Sequence, residues 1–195
     1  MTINCVETLA LDVHRRADGA FDRLVERYER PLFNYVHRLL QNVHDAQEVV
    51  QDAFLRAHKA LTRQYDEARC QELLLKPWLF RIARNLSHNK RRGKRLVLEQ
   101  PLPNEEHRGF KPKERPPALL CAIEKREEME RLDRALALLP DESRELVFLR
   151  FIEEMSYADI ARATGLGEAS LRGKVFRSLR LLRDALASEE ERHAV

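Results

Sequence analysis

Glycine and proline are scarce in this 195-residue chain, at 6 and 8 residues, together about 7% where average usage is about 12%. That shortage excludes collagen-like and low-complexity sequence and argues against a turn-rich β-sandwich, which leaves helices as the default. Cysteine is scarcer still. Cys5, Cys70 and Cys121 lie far apart, with no CxxC spacing and no nearby His at metal-ligand spacing, so neither a zinc site nor a disulfide framework is expected, and the thiols read as reduced cysteines of a cytoplasmic protein. No apolar run approaches the roughly 18 residues that span a bilayer. The opening MTINCVETLALDVHRRADGAF lacks the basic stretch and apolar core of a secretory signal. These absences predict a soluble protein without membrane insertion, metal or cofactor.

Charge of one sign is also lacking overall: 35 basic and 32 acidic residues leave a formal net charge of +3. A polyanionic partner responds to clustering rather than to the sum, so the distribution matters more. Five of the eight prolines, 101, 103, 112, 116 and 117, fall in QPLPNEEHRGFKPKERPPALL, where each removes a backbone donor and biases its predecessor away from helix. Residues 96–122 are therefore expected to be a Pro-rich flexible linker, and the fold to be all-α, with two small helical domains over 18–95 and 123–187.

In the first domain, Phe21, Leu24, Val25, Tyr28, Leu32, Val36, Leu39 and Val43 recur at helical spacing, with an interruption or kink expected at Pro31. A second helix is expected after His44, capped by Asp45 with Glu48 and carrying the apolar stripe Ala46, Val49, Val50, Ala53, Phe54 and Ala57. The stretch from Thr62 to Gln71 is polar, and Pro77 suits the first turn of a third helix running from Trp78 to about Arg92. Residues before Asp18 show no informative pattern.

The third helix holds the strongest local signal. Residues Lys76–Arg95 contain eight basic residues and no Asp or Glu, a local net charge of +8. At about 100° per residue Leu79, Ile82, Ala83 and Leu86 share an inward face, while Trp78, Asn85 and Asn89 share a neighbouring one beside Arg81, His88 and Arg92. Single-stranded nucleic acid requires such a surface: bases stack on the ring at about 1–3 kcal/mol each, amides meet base edges, and guanidinium groups meet phosphates. A Trp at a helix start is often half-buried core, and a basic run can be a solvated face. Solvated helices, however, usually mix signs for i,i+4 support, and none is mixed here.

The second helix presents Glu48, Gln51, Asp52, Leu55 and Lys59 opposite its apolar stripe. Leu55 lies nearly 180° from that stripe within a polar rim, the composition of a protein interface. In the second domain, helices over Ile123–Leu139 and DESRELVFLRFIEE precede a short helix, YADIARATG, capped by Ser156 with Asp159 and ended by Gly165. A longer helix follows from about Ala169 to Leu186, completing a helix-turn-helix pattern. On it Leu171, Val175, Ser178 and Leu182 face inward, with Ala185 and Leu186 nearby. Between Leu171 and Arg183 lie five basic residues and no acid. Ser170, Arg172 and Lys174 are placed to meet bases or phosphates in a major groove, and Arg177 and Arg180 to meet the backbone.

Three stretches in one order, DAQEVVQDAFLRAHKAL, PWLFRIARNLSHNKRRGKR and LPDESRELVFLRFIEEMSYADIARATGLGEASLRGKVFRSLRLLRDAL, resemble the extracytoplasmic-function sigma factors of bacterial RNA polymerase, which keep only regions 2 and 4. The resemblance implies that Asp45, Glu48, Gln51, Asp52, Leu55 and Arg56 grip the clamp helices of the polymerase largest subunit. It implies that Trp78, Arg81, Asn85, Asn89, Arg91 and Arg92 melt and read the minus-ten element, including its single-stranded non-template strand, and that the Thr62 to Gln71 loop holds a flipped base. It also implies that the last helix reads the minus-thirty-five element, that the flap of the second subunit is a further contact, and that a separate anti-sigma factor exerts control. One departure stands out: family recognition helices often read Gly-Thr-Val-Lys/Arg-Ser-Arg where this chain has Ala169-Ser170-Leu171-Arg172-Gly173-Lys174. Gly173 costs about 1 kcal/mol of helix propensity and Lys174 lacks the bidentate fork of Arg, so the minus-thirty-five sequence is not transferable.

Two other classes fit parts of the pattern. A dimeric helix-turn-helix regulator would use the second domain, and an RNA-binding or anti-termination protein the Trp-bearing face. Neither needs an acid-rimmed Leu55 in the same domain as a strand-separating surface. Enzymatic function is not expected, since the sequence has no P-loop, GxSxG or HExxH and no shared constellation of His and carboxylates.

Overall fold

The computed structural model describes residues 8–98 and 135–193, and these contain helices and no strand. The expected linker beyond residue 98, the expected helix from Ile123 up to residue 134, and Cys5 and Cys121 lie outside the described residues. The chain divides into two compact units, one of residues 1–104 with 158–166, the other of residues 105–157 with 167–195.

In the first unit, α1 (Leu9–His14), α2 (Ala20–Leu40), α3 (Val43–Lys59), α4 (Glu67–Glu72) and α5 (Leu75–Leu98) follow one another, with a turn of π-helix, Ala60–Gln64, extending α3. Helix α1 is an addition to the sequence expectation: Leu9, Ala10 and Val13 are buried, and His14 Nδ1 donates to the Leu61 carbonyl at 2.8 Å. Gly19 opens α2 with φ +62, a conformation that favours glycine. The helix then continues through Pro31 to Gln41, whose N–H closes it on His37 O at 2.8 Å. The helix is therefore not broken at Pro31.

Helix α3 begins earlier than expected. Asn42 is its cap, accepting from Asp45 N–H at 3.0 Å, so Asp45 sits three residues inside the cap rather than serving as one. The expected stripe, Ala46, Val49, Val50, Ala53, Phe54 and Ala57, is buried throughout. It packs with α2 and α5, whose buried faces supply Leu24, Leu32 and Val36, and Leu75, Leu79, Phe80 and Ala83. Tyr35 and Phe80 meet at 5.1 Å between ring centroids. Ile82, expected inward, is only half-buried, and Ser87 takes a buried place by donating to Ala83 O at 2.8 Å. Helix α5 starts three residues before Trp78, with Pro77 in its first turn where a missing N–H costs nothing, and runs to Leu98, past the expected end near Arg92.

In the second unit α6 (Asp141–Val147) continues as a π-helical turn, Phe148–Ile152, and packs against α8 (Glu168–His193). The Arg144 guanidinium donates to the carbonyls of Leu136 at 2.9 Å, Ala137 at 3.1 Å and Leu139 at 3.0 Å, satisfying orphan acceptors where the preceding helix ends at Ala137. Ala135, Leu139, Val147 and Leu182 form a buried cluster bordered by Leu136, Ala185 and Leu186. Leu171, Val175 and Ser178 are buried on the same expected face of α8. Helix α7 (Tyr157–Thr164), which from residue 158 onward is counted in the first unit, ends at Gly165, whose φ of +78 and N–H bond to Ala161 O at 2.8 Å form a left-handed C-terminal cap.

Candidate nucleic-acid interface and docking face

Helix α5 positions the Trp-bearing surface. Its buried residues fix its rotation, and that rotation leaves Arg81, Asn85, Asn89, Arg91 and Arg92 exposed. Trp78 is half-buried rather than a bare platform. Its indole N–H donates to Tyr65 Oη at 3.2 Å, the two rings lie 5.7 Å apart, and the Arg69 guanidinium sits 3.9 Å from the Tyr65 ring centroid. Tyr65 and Arg69 escaped the sequence reading because both lie in the Thr62–Gln71 stretch, expected to be a loop. That stretch holds the end of the π-helical turn and all but the last residue of α4, capped by Asp66, which accepts from Arg69 N–H at 2.9 Å. An aromatic thirteen residues before the Trp is the signal that was available. The arrangement is an Arg69–Tyr65–Trp78 cluster, with the two rings tilted at 52° to each other, beside a row of amides and guanidinium groups able to accept a base and its phosphate.

Cys70 within α4 is fully buried, and burial together with Asp66 pushes its thiol up, against a smaller opposing effect of Arg69. It is a packing residue rather than a nucleophile.

Helix α3 positions the docking face. Glu48, Gln51, Asp52, Leu55 and Arg56 are all exposed, and Leu55 retains 67% of its accessible surface. Asp45 is half-buried and shares Lys90 of α5 with Glu48: the ammonium lies 3.5 Å from Asp45 Oδ1 and is hydrogen-bonded by Glu48 Oε2. Burial works to lower the Lys90 pKa, but the Glu48 hydrogen bond and the charges of both carboxylates outweigh it and hold the ammonium above its ordinary value. Two of the six expected docking residues are thus engaged within the unit.

On α8, Ser170, Arg172, Arg177 and Arg180 are exposed, whereas Lys174 is half-buried. Lys174 Nζ lies 2.6 Å from Glu142 Oε2 on α6. Arg172 pairs with Glu168 at 3.5 Å and lies 4.9 Å from the Tyr157 ring centroid, and Arg180 reaches Asp184 at 4.0 Å. These are partly exposed pairs that orient side chains at small energetic value. Among the described residues no group of three or more His, Cys, Asp or Glu side chains could hold a metal ion, and no helix is long and apolar enough to cross a membrane.

Comparison with known proteins follows the same division. The family model for Sigma-70 region 2 matches residues 24–96, and that for Sigma-70, region 4 matches residues 129–182. The chain is 29% identical over 182 residues to the RNA polymerase sigma-H factor of Pseudomonas aeruginosa, covering 89% of this chain and 90% of that one. It is 26% identical over 185 residues to the ECF RNA polymerase sigma factor SigW of Bacillus subtilis, covering 89% and 92%. Among solved structures, the fold is similar to that of the sigma factor RpoE in complex with the anti-sigma factor NepR from Bartonella quintana, at a TM-score of 0.67 and 22% identity over 87% of this chain and 98% of that one. It is also similar to CnrH in complex with the cytosolic domain of CnrY, at a TM-score of 0.64 and 24% identity over 94% and 97%.

Proposed function

The chain belongs to the extracytoplasmic-function sigma factors of the sigma-70 family, and we propose how its surfaces divide the work of promoter-directed transcription initiation. As a sigma factor it binds core RNA polymerase and directs it to promoter DNA. In our reading residues 18–95 act as region 2, 96–122 as the linker and 123–187 as region 4. Asp45, Glu48, Gln51, Asp52, Leu55 and Arg56 dock on the clamp helices of the largest polymerase subunit. Trp78, Arg81, Asn85, Asn89, Arg91 and Arg92 separate and hold the minus-ten strands. Ser170, Arg172, Lys174, Arg177 and Arg180 engage the minus-thirty-five duplex, and the flap of the second subunit meets region 4. The protein works in the cytoplasm without catalytic chemistry of its own, under the control of an anti-sigma factor.

The observation that carries this division is Leu55, an exposed leucine ringed by Glu48, Gln51, Asp52 and Arg56, on the same unit as the cation-rich row of α5. A regulator that met only duplex DNA would leave that face without use. Runoff transcription with purified core polymerase and promoters from the source genome, with and without the protein, is the direct test; stimulation is expected, and its absence on every promoter would end the reading. Leu55→Asp sharpens it. Truncating the centre of an interface typically costs ~2 kcal/mol or more, so core binding should weaken about 30-fold. Thermal stability should stay within about 0.5 kcal/mol, as for other exposed positions. Normal core binding by Leu55→Asp would remove the clamp assignment.

A further inference from the structure

Lys90 belongs by sequence to the cation run of α5, yet its ammonium is turned onto the docking helix. It is held by Asp45 and Glu48, two residues assigned above to polymerase contact. The three side chains differ in exposure, at 22% for Lys90, 14% for Asp45 and 66% for Glu48. Asp45 is further fixed because its backbone N–H is bonded to the Asn42 cap. The most exposed member of the node is therefore Glu48, which bonds Lys90 from the same helix face that carries Leu55.

An acid-rimmed apolar centre is complementary to a partner surface with an apolar centre and cations around it. Such a partner must compete with Lys90 for Glu48. When it wins, Lys90 loses its strongest hydrogen-bond acceptor and becomes available on a helix whose neighbouring Asn89, Arg91 and Arg92 are exposed. A free ammonium there has one class of counter-ion to meet, the phosphates of bound nucleic acid.

We propose that Lys90 is a shared charge linking the two faces of this unit: in the free protein it neutralises Asp45 and Glu48 of the docking helix, and docking of a cationic partner on those carboxylates releases it to the promoter backbone. The proposal rests on the polymerase-contact reading of α3. It makes isolated region 2 a weaker ligand for DNA than the same surface in holoenzyme, and it makes polymerase affinity weaker than the docking carboxylates alone would give.

The test uses the full chain and core polymerase, comparing Lys90→Met with wild type and with Lys90→Arg. Since wild-type core binding and promoter stimulation are measured first, a failure there strikes the sigma reading and not the Lys90 link. With Lys90→Met the carboxylates are unmasked, and core affinity should rise about two- to fivefold, the range spanned by partly exposed ion pairs. In holoenzyme the same variant should bind promoter with a salt dependence shallower by about 0.7–0.9 in the slope of log K against log salt, one phosphate contact fewer. Lys90→Arg should follow wild type in both. Core affinity that is unchanged or lower, or a slope equal to wild type, overturns the proposal. Circular dichroism melting checks the fold of each variant. Should Lys90→Met not fold, Glu48→Gln at the exposed position decides: it removes the closer of the two carboxylates from Lys90 and leaves only Asp45 at 3.5 Å, so binding of a single-stranded minus-ten oligonucleotide should tighten about two- to fivefold, again the range of such pairs. No gain in that assay likewise overturns the link.

Discussion

The basic faces of α5 and α8 are built on different rules. The α5 segment Lys76–Arg95 has eight cations and no acid of its own, and the carboxylates that Lys90 meets come from α3. Along α8 four of the five cations from Leu171 to Arg183 meet an acid: Arg172 meets Glu168, Arg180 and Arg183 meet Asp184, and Lys174 meets Glu142 of α6. A helix without acids of its own suits a strand whose geometry changes as the duplex opens, because attraction to phosphate is indifferent to sequence and tolerant of shape. Side chains held in local pairs suit a duplex of fixed form, where direction decides which base edge is met. The aromatics divide in the same way. On α5 the Trp78 ring is braced by Tyr65, while on α8 Phe176 stands 70% exposed.

The largest expected effect breaks the α5 side of this contrast. Trp78→Ala removes a stacking surface worth about 1–3 kcal/mol per base, so open-complex formation should fall roughly 5- to 150-fold, read as permanganate reactivity of minus-ten thymines. Closed-complex retention on duplex promoter should change little, and Trp78→Phe should recover most of the loss. An equal loss in both complexes would mean that Trp78 serves packing beside Tyr65 rather than strands. A smaller effect is expected on α8. Gly173 lies in the helix interior, and a Cβ built there meets only Arg177 Nη1, at an ordinary 3.7 Å. Gly173→Ala should therefore stabilise the protein by about 0.4–1 kcal/mol in thermal or urea unfolding. A decrease would show that the backbone here needs the freedom of glycine.

Periodic burial was legible in the residues; pairing between residues distant in sequence was not. The stripes of α3 and α8 emerge as expected because each depends only on helical phase, and Leu55 stands out for the same reason. The left-handed turn at Gly165 was also legible, since few residues other than glycine tolerate it. What escaped was structure built by contacts distant in sequence. Helix α1 is too short to announce itself and exists through burial of Leu9 and Val13 and the His14 bond to Leu61, 47 residues away. Lys90 with Glu48, 42 residues apart, and Lys174 with Glu142, 32 apart, could not be seen in any window. The polar composition of Thr62–Gln71 suggested a loop, and it hid α4 because one Asp cap and one buried cysteine suffice to fix six residues against α1.

The smallest expected effect tests whether pairing on α8 is functional orientation. Lys174 is only 28% exposed and is held by Glu142, so in the free protein its charge is aimed as well as neutralised. Glu142→Gln keeps the shape and removes the anion. Stability should fall by no more than the ~0.2–1 kcal/mol typical of partly exposed pairs. The freed ammonium should steepen the salt dependence of minus-thirty-five duplex binding by up to about 0.9 in log–log slope. If the pair serves aim, discrimination among minus-thirty-five variants should decline in the same assay, because a mobile cation attracts phosphate without selecting a base. A steeper slope with undiminished discrimination would place Lys174 on the backbone alone. No change in either would take Lys174 off the DNA and leave Ser170, Arg172, Arg177 and Arg180 as the reading set, narrowing α8 to its outermost stripe.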